Sequence, residues 1–512
     1  MSLPLFTGAK WAKSSAFAAL LLVLVLPIYD AMAGSDVTFE CGGSVESEVW
    51  NLWDGKVSSF LSQTLLQERL LKQGDVYALY DFQTYTHNMV AMARRCERTD
   101  RLRDISALVG VAYTALDSGS LLSPGRRWVC HGGSICNDRN RLIDNEVQLC
   151  SVQFLGVASS IANALASSKT ELGDGERAFV RNTTQIVIEH LLRWSDDQAI
   201  RSIQRAKLAS FEDVEDGSSA LFFTDKPLWM ITIYAELAGI LQSKNKPSLE
   251  EISPTDMARL SRHLSELLQF MLARISLQHD SNGRLGSADL ADVDRGYWRL
   301  YADNKYAGYE KAEKPVVCAP LSTDKARFNQ DVRVPAVHEF VRESIGWDIS
   351  HARRLVHALD ALERNRQALK DVFHLRDGQL LPVDITNAFA NTLVARVWNG
   401  DEAQPLFANY WSGANGWYRV AYDNGTGACQ EGYPPFGLTD SFLTGGYIAW
   451  TRYQPSIGSL GQRFYELIDS TKTGDATFVA KYYAGFGKSA NAQNRTLSRL
   501  MFLPSLVGVV TQ

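Results

Sequence analysis

The sequence predicts a mostly α-helical protein, and two observations support that prediction. Apolar residues recur mostly at spacings of three and four from residue 45 onward, which is the periodicity of amphipathic helices. The chain has only 15 prolines and few alternating strand patterns, which disfavours a β-sandwich or a β-barrel. The composition, 46% hydrophobic and 21% charged, is that of a folded globular protein rather than a disordered one.

Residues 1–33 have the order of a secretory signal peptide. Lys10 and Lys13 precede the apolar run AFAALLLVLVLP at 16–27, and Ala31-Met32-Ala33 stands before Gly34. The run is shorter than the roughly 20 apolar residues that a transmembrane helix needs. We therefore expect cleavage after Ala33, a periplasmic or secreted product, and no stable membrane insertion.

Amphipathic helices are predicted along most of the remaining chain. In one of them Leu102, Ile105 and Val109 share an apolar face, and Gly119 can end the helix. No fixed repeat of about 34 or 40 residues appears, which disfavours a helical solenoid. The other predicted helices lie near residues 57–72, 82–97, 146–167, 176–194, 228–243, 255–277, 350–366, 385–398, 439–452, 459–470 and 496–509.

Two long stretches, 280–335 and 399–438, lack helical periodicity and contain many glycines and aromatic residues. We expect long loops there, with a short β-hairpin in the first. Loops of this length inside a compact domain are usually functional. Helical hairpins arranged in a ring, with these loops forming a cleft at one end, predict an α/α toroid, and an irregular helical bundle is the alternative. A single catalytic domain over 34–512, with two loop insertions, is the expected organisation.

The cysteines fit an oxidising compartment, where disulfides are the default. Their number is odd, so at least one is unpaired. The glycine-containing loop between Cys130 and Cys136 is short enough to be bridged. Cys130, His131 and Cys136 could instead begin a zinc site, but no second pair of ligands follows at finger-like spacing. We therefore predict disulfides, and neither a metal nor a cofactor. The cysteines of the chain are Cys41, Cys96, Cys130, Cys136, Cys150, Cys318 and Cys429.

The formal net charge of −5 gives no basic field of the kind that attracts nucleic acid. Nucleic-acid binding is therefore disfavoured as the main function. The sequence also contains no P-loop and no dinucleotide-binding fingerprint. A serine hydrolase is disfavoured because no G-x-S-x-G elbow stands between a strand and a helix.

The segment 338–355 brings many chemically competent side chains together. Asp348 or Ser350 can cap a helix there, and His351 lies on the same helical face as Leu355. We therefore expect His351 to point inward at the start of a helix. An imidazole in that position either satisfies the core by hydrogen bonding or lines a cleft at the mouth of the ring.

Part of this segment is similar to a motif of a known enzyme family. Glu343-Ser344, Gly346, Asp348 and His351-Ala352 resemble the Glu-Ser-Gly-x-Asp-x-x-His segment of α/α-toroid polysaccharide lyases of the alginate-lyase superfamily, with one residue inserted before the glycine. The resemblance covers this segment of the chain alone. It implies a secreted enzyme that cleaves an acidic polysaccharide by β-elimination, with Glu343, Asp348 and His351 in the active site or its supporting shell.

β-Elimination needs a group that neutralises the uronate carboxylate, a base for the C5 proton and an acid for the leaving oxygen. His351 is the predicted base. Tyr410 or Tyr418 is the predicted acid, because a phenol near an arginine can have a lowered pKa. The pair His87-Asn88 is a candidate for carboxylate binding. The alternative is that this polar pair lies in the middle of a helix and either faces solvent or bonds a loop carbonyl. The other candidates for binding or neutralising the carboxylate are Asn415, Arg342, Arg354 and Arg419.

The segment 407–453 is dense in tryptophan and tyrosine. Flat aromatic faces stack on sugar rings, and phenol hydroxyls bind sugar hydroxyls, so such loops suit a glycan cleft. Phe442 and Trp450 have helical spacing and are predicted to be core residues instead. The predicted glycan-binding residues of this segment are Trp411, Trp417, Tyr418 and Arg419.

Two other functions remain as alternatives, each with a polysaccharide as the partner. A non-catalytic protein that binds or threads a polysaccharide, or that scaffolds its export, would share the leader, the helices and the aromatic loops. A glycoside hydrolase would use two carboxyl groups. The carboxyl groups in or near the predicted face are Glu339, Glu343, Asp348, Asp384, Glu431 and Asp440.

Overall fold

The described part of the chain is mostly helical, with four small antiparallel two-stranded sheets. This confirms the predicted fold class. The predicted leader and residues 298–344 lie outside the described residues. A computed structural model describes residues 37–120, 123–137, 140–210, 213, 221–248, 252–297, 345–418, 422–423, 429–430 and 432–510.

Helices form the body of the fold and are numbered here in chain order. The α-helices are α1 (Ser44–Leu52), α2 (Tyr77–Arg95), α3 (Thr99–Tyr113), α4 (Gln148–Ala166), α5 (Asp174–Trp194), α6 (Asp197–Leu208), α7 (Asp225–Gln242), α8 (Pro254–Arg274), α9 (Ile349–Ala352), α10 (Arg354–Arg364), α11 (Arg366–Phe373), α12 (Ile385–Thr392), α13 (Ser441–Thr444), α14 (Pro455–Asp469), α15 (Thr473–Tyr482) and α16 (Ala492–Phe502). Short π- and 3₁₀-helical stretches lie at Trp53–Val57, Phe60–Lys72, Asp377–Gln379, Leu393–Val397, Tyr447–Arg452 and Leu503–Ser505.

Several helices begin where local sequence rules place a start. Ser253 caps α8, because its hydroxyl accepts the backbone N–H of Asp256 at 3.0 Å, and Pro254 occupies the first turn. Asp196 caps α6 in the same way, accepting from the backbone of Ala199 at 2.7 Å. These caps satisfy N–H groups that the first turn of a helix leaves unpaired.

Helices α2, α4, α7 and α10 pack around one another at the centre. Phe82 of α2 packs edge-on against Phe154 of α4, with ring centroids 5.5 Å apart. Asn163 of α4 donates a hydrogen bond of 2.6 Å to Glu236 of α7. Glu236 also forms an ion pair of 2.6 Å with Arg364 of α10. These contacts join α2 to α4, α4 to α7 and α7 to α10.

The ring closes between α10 and α2, where His357 stacks on His87 with ring centroids 3.7 Å apart. The starts of α7 and α10 are joined by an ion pair of 3.4 Å between Asp225 and Arg354, and their ends by the glutamate–arginine pair just described. Helices α10 and α2 are likewise joined near their starts and at their ends, and so are α4 and α7. Helices α2 and α4 are joined in their first halves. The four inner helices are therefore parallel. We call the two ends of this ring the N-end and the C-end.

Outer helices return antiparallel to the inner ones. Helices α3, α5 and α8 follow α2, α4 and α7 directly and pack against them. Alternation of parallel inner helices with returning outer helices is the arrangement of an α/α toroid. Among the described residues one helix, α4, is long and apolar enough to cross a membrane, and 94% of its apolar window is buried inside the fold, as in a core helix.

The longest sheet is a hairpin that follows α8 without a break. Its strands are β5 (Ile275–Gly283) and β6 (Gly286–Val293), paired from Ile275 with Val293 to Gly283 with Gly286. Thr392 of α12 holds β6 by bonding the backbone N–H and carbonyl of Ala291, each at 2.9 Å. The expected hairpin is present, and it begins before residue 280. The other strands are β1 (Asp117–Ser120), β2 (Ser123–Arg127), β3 (Val129–Cys130), β4 (Asn145–Glu146), β7 (Tyr422–Asp423) and β8 (Cys429–Gln430).

Two disulfides, Cys41–Cys96 and Cys130–Cys136, are formed among the described residues. The predicted bridge across the short glycine-containing loop is thus confirmed, and it uses both thiols that the alternative zinc site required. Cys150 is a buried free thiol. Two disulfides fit an oxidising environment.

Candidate functional site

Asp348 fixes both the start of a helix and the orientation of a histidine ring. Its Oδ1 accepts the backbone N–H groups of Ser350 and His351, each at 3.0 Å, and so caps α9. Its Oδ2 accepts a hydrogen bond of 2.7 Å from Nδ1 of His351. Because Nδ1 donates to the carboxylate, Nε2 is the basic nitrogen of this ring. The predictions that Asp348 or Ser350 caps a helix and that His351 points inward are confirmed.

The aromatic loop brings two tyrosines to this histidine. The hydroxyl of Tyr418 lies 3.4 Å from Nδ1 of His351. The ring centroid of Tyr410 lies 6.1 Å from that of Tyr418, and the hydroxyl of Tyr410 donates to the backbone carbonyl of Trp417 at 3.1 Å. A β-bridge between Asp348 and Tyr410 holds the loop against the histidine segment. Both predicted tyrosines therefore lie in one cluster with the predicted base.

Arg354, at the start of α10, adds a cation to the same cluster. Its Nη1 donates to the carbonyl of Ser350 and its Nη2 to the hydroxyl of Tyr80, both at 3.0 Å. Oδ2 of Asp225 lies 3.4 Å from Nη2. Nε of Arg354 is buried and has no hydrogen-bond partner among the residues that the structure describes. The predicted carboxylate-binding arginine thus lies beside His351.

Burial sets the protonation states in this cluster. Loss of water lowers the pKa of His351 below its usual value, and the Asp348 carboxylate opposes this only in part. Burial would raise the pKa of Asp225, but the charges of Arg354 and His351 hold it below its usual value. Burial also disfavours the charge of Arg354, yet Tyr80 and Asp225 keep its pKa above normal. At neutral pH the cluster therefore contains a neutral imidazole beside a charged arginine–aspartate pair.

His87 lies inside the helical ring, away from this cluster. Its ring stacks on His357 and faces Trp229, whose ring centroid is 5.4 Å away. Its Nδ1 lies 3.0 Å from Nε2 of Gln83. Both faces of the imidazole and one of its nitrogens therefore contact other side chains between the inner helices. We leave His87 out of the proposed site.

The two candidate asparagines hold backbone segments together. Asn88 donates through Nδ2 to the carbonyls of Thr444 and Met501, at 3.1 and 2.6 Å. The side-chain oxygen of Asn415 accepts the N–H groups of Asn409 and Phe436, at 3.3 and 2.7 Å. Asn88 bonds backbone carbonyls, as its alternative role predicted, but these belong to the last turns of α13 and α16 rather than to a loop. We leave both asparagines out of the proposed site.

Some aromatic residues of the segment 407–453 belong to the core, and others remain candidates for the site. Trp411 is 1% exposed, and its Nε1 donates to the carbonyl of Ala291 at 3.0 Å. Its ring stacks on Tyr447, so the structure places Trp411 in the core rather than in a cleft. Trp450 is buried, as predicted, and so is Phe442. Trp417, next to Tyr418, is 8% exposed and stays a predicted sugar contact.

Several predicted residues lie outside the part of the chain that the structure describes. Glu343, Arg342 and Arg419 are among them, and so are Glu339 and Glu431. Of the remaining carboxyl candidates for hydrolysis, Asp384 is exposed. Burial raises the pKa of Asp440 to about 6. Asp348 is already used as a cap and as the histidine partner.

Asp292 on β6 is a candidate that the sequence reasoning missed. Its Oδ1 accepts the N–H of Val293 at 2.8 Å, and its buried Oδ2 has no hydrogen-bond partner among the described residues. Burial raises its pKa to about 7. A Cβ at Gly346 would collide with this carboxyl, which places Asp292 beside the histidine segment. The only signal in the sequence is the pair of acids, Asp292 and Asp294, at a strand end.

No protein-family model matches this chain, and no match is found among curated proteins or solved structures. The chemistry of the site therefore rests on its own geometry. The N-end cluster is defined as His351, Asp348, Tyr418, Arg354 and Asp225. It provides a neutral imidazole in contact with a phenol, and a guanidinium three residues further along the chain that is paired with a carboxylate. These groups can move a proton and bind an anion.

Proposed function

We propose that this protein is a polysaccharide lyase that cleaves a uronate-containing glycan by β-elimination. The observation that supports this is the convergence of His351, Tyr418 and Arg354 at one end of the helical ring. β-Elimination requires a base, an acid and a cation for the carboxylate, and these three side chains are such a set. No metal is needed in this scheme, because the guanidinium neutralises the uronate.

Each step has a group in the cluster. Arg354 binds the uronate carboxylate, which makes the C5 proton more acidic. Nε2 of His351 removes that proton, and the electron pair forms the C4–C5 double bond as the C4–O4 bond breaks. The hydroxyl of Tyr418 donates its proton to the leaving O4, and Asp348 stabilises the imidazolium. Tyr410 positions the loop, since its hydroxyl already donates to a backbone carbonyl.

The direction of the inner helices favours an anionic substrate at this end. All four N-termini point to the N-end, and the N-terminus of a helix carries partial positive charge. Asp225 begins α7 and Arg354 begins α10, so two of these termini lie within the cluster itself. A uronate carboxylate bound there is stabilised by the helices as well as by the arginine.

Access to the cluster requires a movement of the protein. His351 is 2% exposed and Tyr418 is 1% exposed. Asn409 fastens the loop that carries Tyr418 by donating to the carbonyls of Gly416 and Pro434, at 2.9 and 2.8 Å. The proposal therefore includes an opening of this loop, with Trp417 as the aromatic residue that contacts the sugar.

The test is incubation of the purified chain with a panel of acidic and neutral polysaccharides. Two signals are followed, ultraviolet absorbance from unsaturated uronate ends and the appearance of new reducing ends. We expect both to rise together on at least one uronate-containing glycan. If neither signal rises with any polysaccharide of that panel, the proposal is contradicted and a non-catalytic binding or export protein is favoured.

A glycoside hydrolase is the second candidate, and Asp292 is the observation that favours it. A buried carboxyl with a pKa near 7 is protonated at the pH where a general acid must donate to a glycosidic oxygen. New reducing ends without ultraviolet absorbance would select this alternative. The Asp292→Asn variant would then lose activity, whereas the lyase scheme does not use this carboxyl.

We also propose that the chain is exported and that its leader is cleaved after Ala33. The two disulfides support an oxidising destination. The test is expression with the native leader in a bacterial host, followed by N-terminal sequencing of the exported product. A product that starts at Gly34 is expected, and a chain that stays in the cytoplasm with its leader intact contradicts the proposal.

A further inference from the structure

A cavity of about 350 Å³ lies at the C-end of the ring, away from the N-end cluster. It is formed by the last turns of α2 and α10, the 3₁₀ stretch Tyr447–Arg452 and residues 505–509. Four arginines line it, Arg94, Arg95, Arg364 and Arg452, together with the carboxylate of Asp360. We call this cavity the arginine pocket.

The carboxylates around the arginine pocket do not match its arginines one to one. Asp360 is shared, because its Oδ2 accepts from both Arg94 and Arg364 at 2.8 Å. Arg452 is paired with Glu363 at the surface, at 2.8 Å. Arg95 donates only to backbone carbonyls and has no carboxylate partner among the described residues. An unbalanced positive charge therefore remains beside the cavity.

The same imbalance is visible in the protonation equilibria. Burial, and then the neighbouring charge of Arg94, lower the pKa of Arg95 to about 10. Burial also lowers the pKa of Arg94, whose Nε is buried without a hydrogen-bond partner among the described residues. An anion placed in the cavity would raise both pKa values towards normal, because an opposite charge nearby favours the charged guanidinium.

The shape of the pocket allows a small molecule to enter. The side chain of Arg452 is 55% exposed and that of Arg94 is 22% exposed, so the pocket opens at Arg452 and deepens towards Arg94. Trp450 and Tyr453 line it as aromatic surfaces. Gly446, with φ of +78°, adds a wall without a side chain. Guanidinium groups beside aromatic surfaces suit an organic anion.

Part of this arrangement has a purely structural cause. Arg94 and Arg95 lie in the last turn of α2 and Arg364 lies in the last turn of α10, where cations stabilise helix C-termini. That role does not explain the open cavity, into which Arg452 brings a further cation from the end of a separate 3₁₀ stretch. It also does not explain why Arg95 lacks a carboxylate partner in the part of the chain that the structure describes.

We propose that the arginine pocket binds a small anionic molecule through a carboxylate, sulfate or phosphate group. The guanidinium groups of Arg94 and Arg452 bind the anion, and the aromatic wall contacts the uncharged part of the ligand. None of the five residues of the N-end cluster lines the pocket, so the two sites are distinct. This inference does not depend on the lyase proposal.

The test is calorimetric titration of the purified full chain with glucuronate, inorganic phosphate and inorganic sulfate, and with glucose as the uncharged probe. We expect at least one anion to bind at a single site, more weakly as salt is raised, and glucose not to bind. Binding of glucuronate alone would identify an acidic sugar as the ligand, whereas binding of phosphate or sulfate would identify an oxyanion.

Variants locate the bound anion. Arg452→Gln and Arg94→Gln should each weaken binding about tenfold or more, since each removes a charge-assisted hydrogen bond. Arg463→Gln is the matched control, because Arg463 is a part-exposed arginine paired with Glu466 outside the pocket. Arg354→Gln should leave anion binding unchanged, which separates this site from the lyase site, where Arg354 is the proposed carboxylate-binding residue.

Two results would overturn the proposal. One is the absence of binding of all three anions at millimolar concentration, which would leave the arginines with their role at helix ends. The other is equal affinity in Arg452→Gln and Arg463→Gln. If Arg94→Gln loses its cooperative thermal transition, Arg452→Gln still decides, because its exposed side chain contributes little to folding.

Discussion

The two ends of the inner ring carry different chemistry on the same four helices. At the N-end, His351, Asp348 and Tyr418 form a buried group that can exchange a proton. At the C-end, Glu236 and Arg364 belong to a network of fixed charges, with Asn163 bonded to the same glutamate. One end thus holds a histidine and a phenol that can exchange a proton, and the other holds a network of buried ion pairs.

Helix polarity explains part of this difference. Parallel packing gathers four partial positive charges at the N-end and four partial negative charges at the C-end. Arginines in the last turns of α2 and α10 complement the C-end. The N-end leaves its positive field available to an anionic substrate, while burial keeps His351 neutral. If this comparison is right, substitutions at the N-end change catalysis and substitutions at the C-end change stability.

The largest expected effect is that of His351→Gln on activity. Removing the base should lower kcat about 1,000-fold, within the range that general acid–base catalysis contributes. The melting temperature should change by only a few degrees, because glutamine retains a donor for Asp348. The measurement is initial rate by ultraviolet absorbance, alongside a thermal melt by circular dichroism.

The matched control for this variant is His263→Gln. His263 is equally buried, but its Nδ1 lies 2.9 Å from the hydroxyl of Tyr234, on α7 and far from its start. It should lose stability and keep kcat. A large loss of stability in His351→Gln with activity retained would return His351 to the core and remove the difference between the two ends.

The next effect is that of Tyr418→Phe, which should lower kcat about 100-fold by removing the proton donor for the leaving oxygen. KM should change little, since the ring is retained. Tyr410→Phe is the companion variant and should reduce kcat less, because its hydroxyl only donates to a backbone carbonyl. Equal losses in both variants would contradict the assignment of Tyr418 as the acid.

The C-end counterpart is Glu236→Gln. Glu236 is 1% exposed and is bonded to Arg364, Asn163 and Asn365. The neutral amide leaves a buried guanidinium without its carboxylate, so we expect a loss of about 2 kcal/mol in the free energy of unfolding. The measurement is urea denaturation, with kcat unchanged on the folded enzyme.

Glu48→Gln is the control for that variant, because Glu48 pairs with Arg499 but is 28% exposed. It should cost less than about 1 kcal/mol. If Glu236→Gln instead lowers kcat at unchanged stability, the C-end takes part in catalysis and the separation of the two ends fails.

The N-end features that the sequence predicted are those set by neighbouring residues. The Asp348 cap and the inward direction of His351 follow from a helix start and from spacing to Leu355, both readable within one turn. The ring of helices follows from apolar periodicity. A single predicted helix over 350–366 is divided at Arg353, a break that no residue pattern marks.

The features that the sequence did not predict depend on distant contacts or bury few residues. Helices α6 and α15 were not predicted, because each buries only two residues. Asn88 has the residue type of a ligand, yet its partners are carbonyls more than 350 residues away in the chain. Asp292 became a candidate only when the hairpin brought it to Gly346.

Asp292, beside the N-end, should make stability depend on pH between about 4 and 7. Its folded pKa of about 7 lies above the ordinary value of 3.8, so the folded state keeps a proton that the unfolded state has released. The associated stability is present in acid and is lost as pH rises through 7. Asp292→Asn should therefore gain about 2 kcal/mol at pH 8. Urea denaturation at pH 5 and pH 8 measures this, with the exposed Asp289→Asn as control.

The smallest expected effect has the opposite sign and belongs to the C-end. Burial, with added repulsion from Arg94 and Arg353, lowers the pKa of His357 to about 3 although Asp360 opposes this. Below about pH 6.5 the unfolded state binds a proton at this histidine and the folded state does not, so the free energy of unfolding falls as pH drops. His357→Gln should remove about 1 kcal/mol of that loss at pH 5, a value reduced for partial exposure. If His357→Gln and Asp292→Asn shifted the pH profile in the same direction, the two ends would not differ in charge balance as argued.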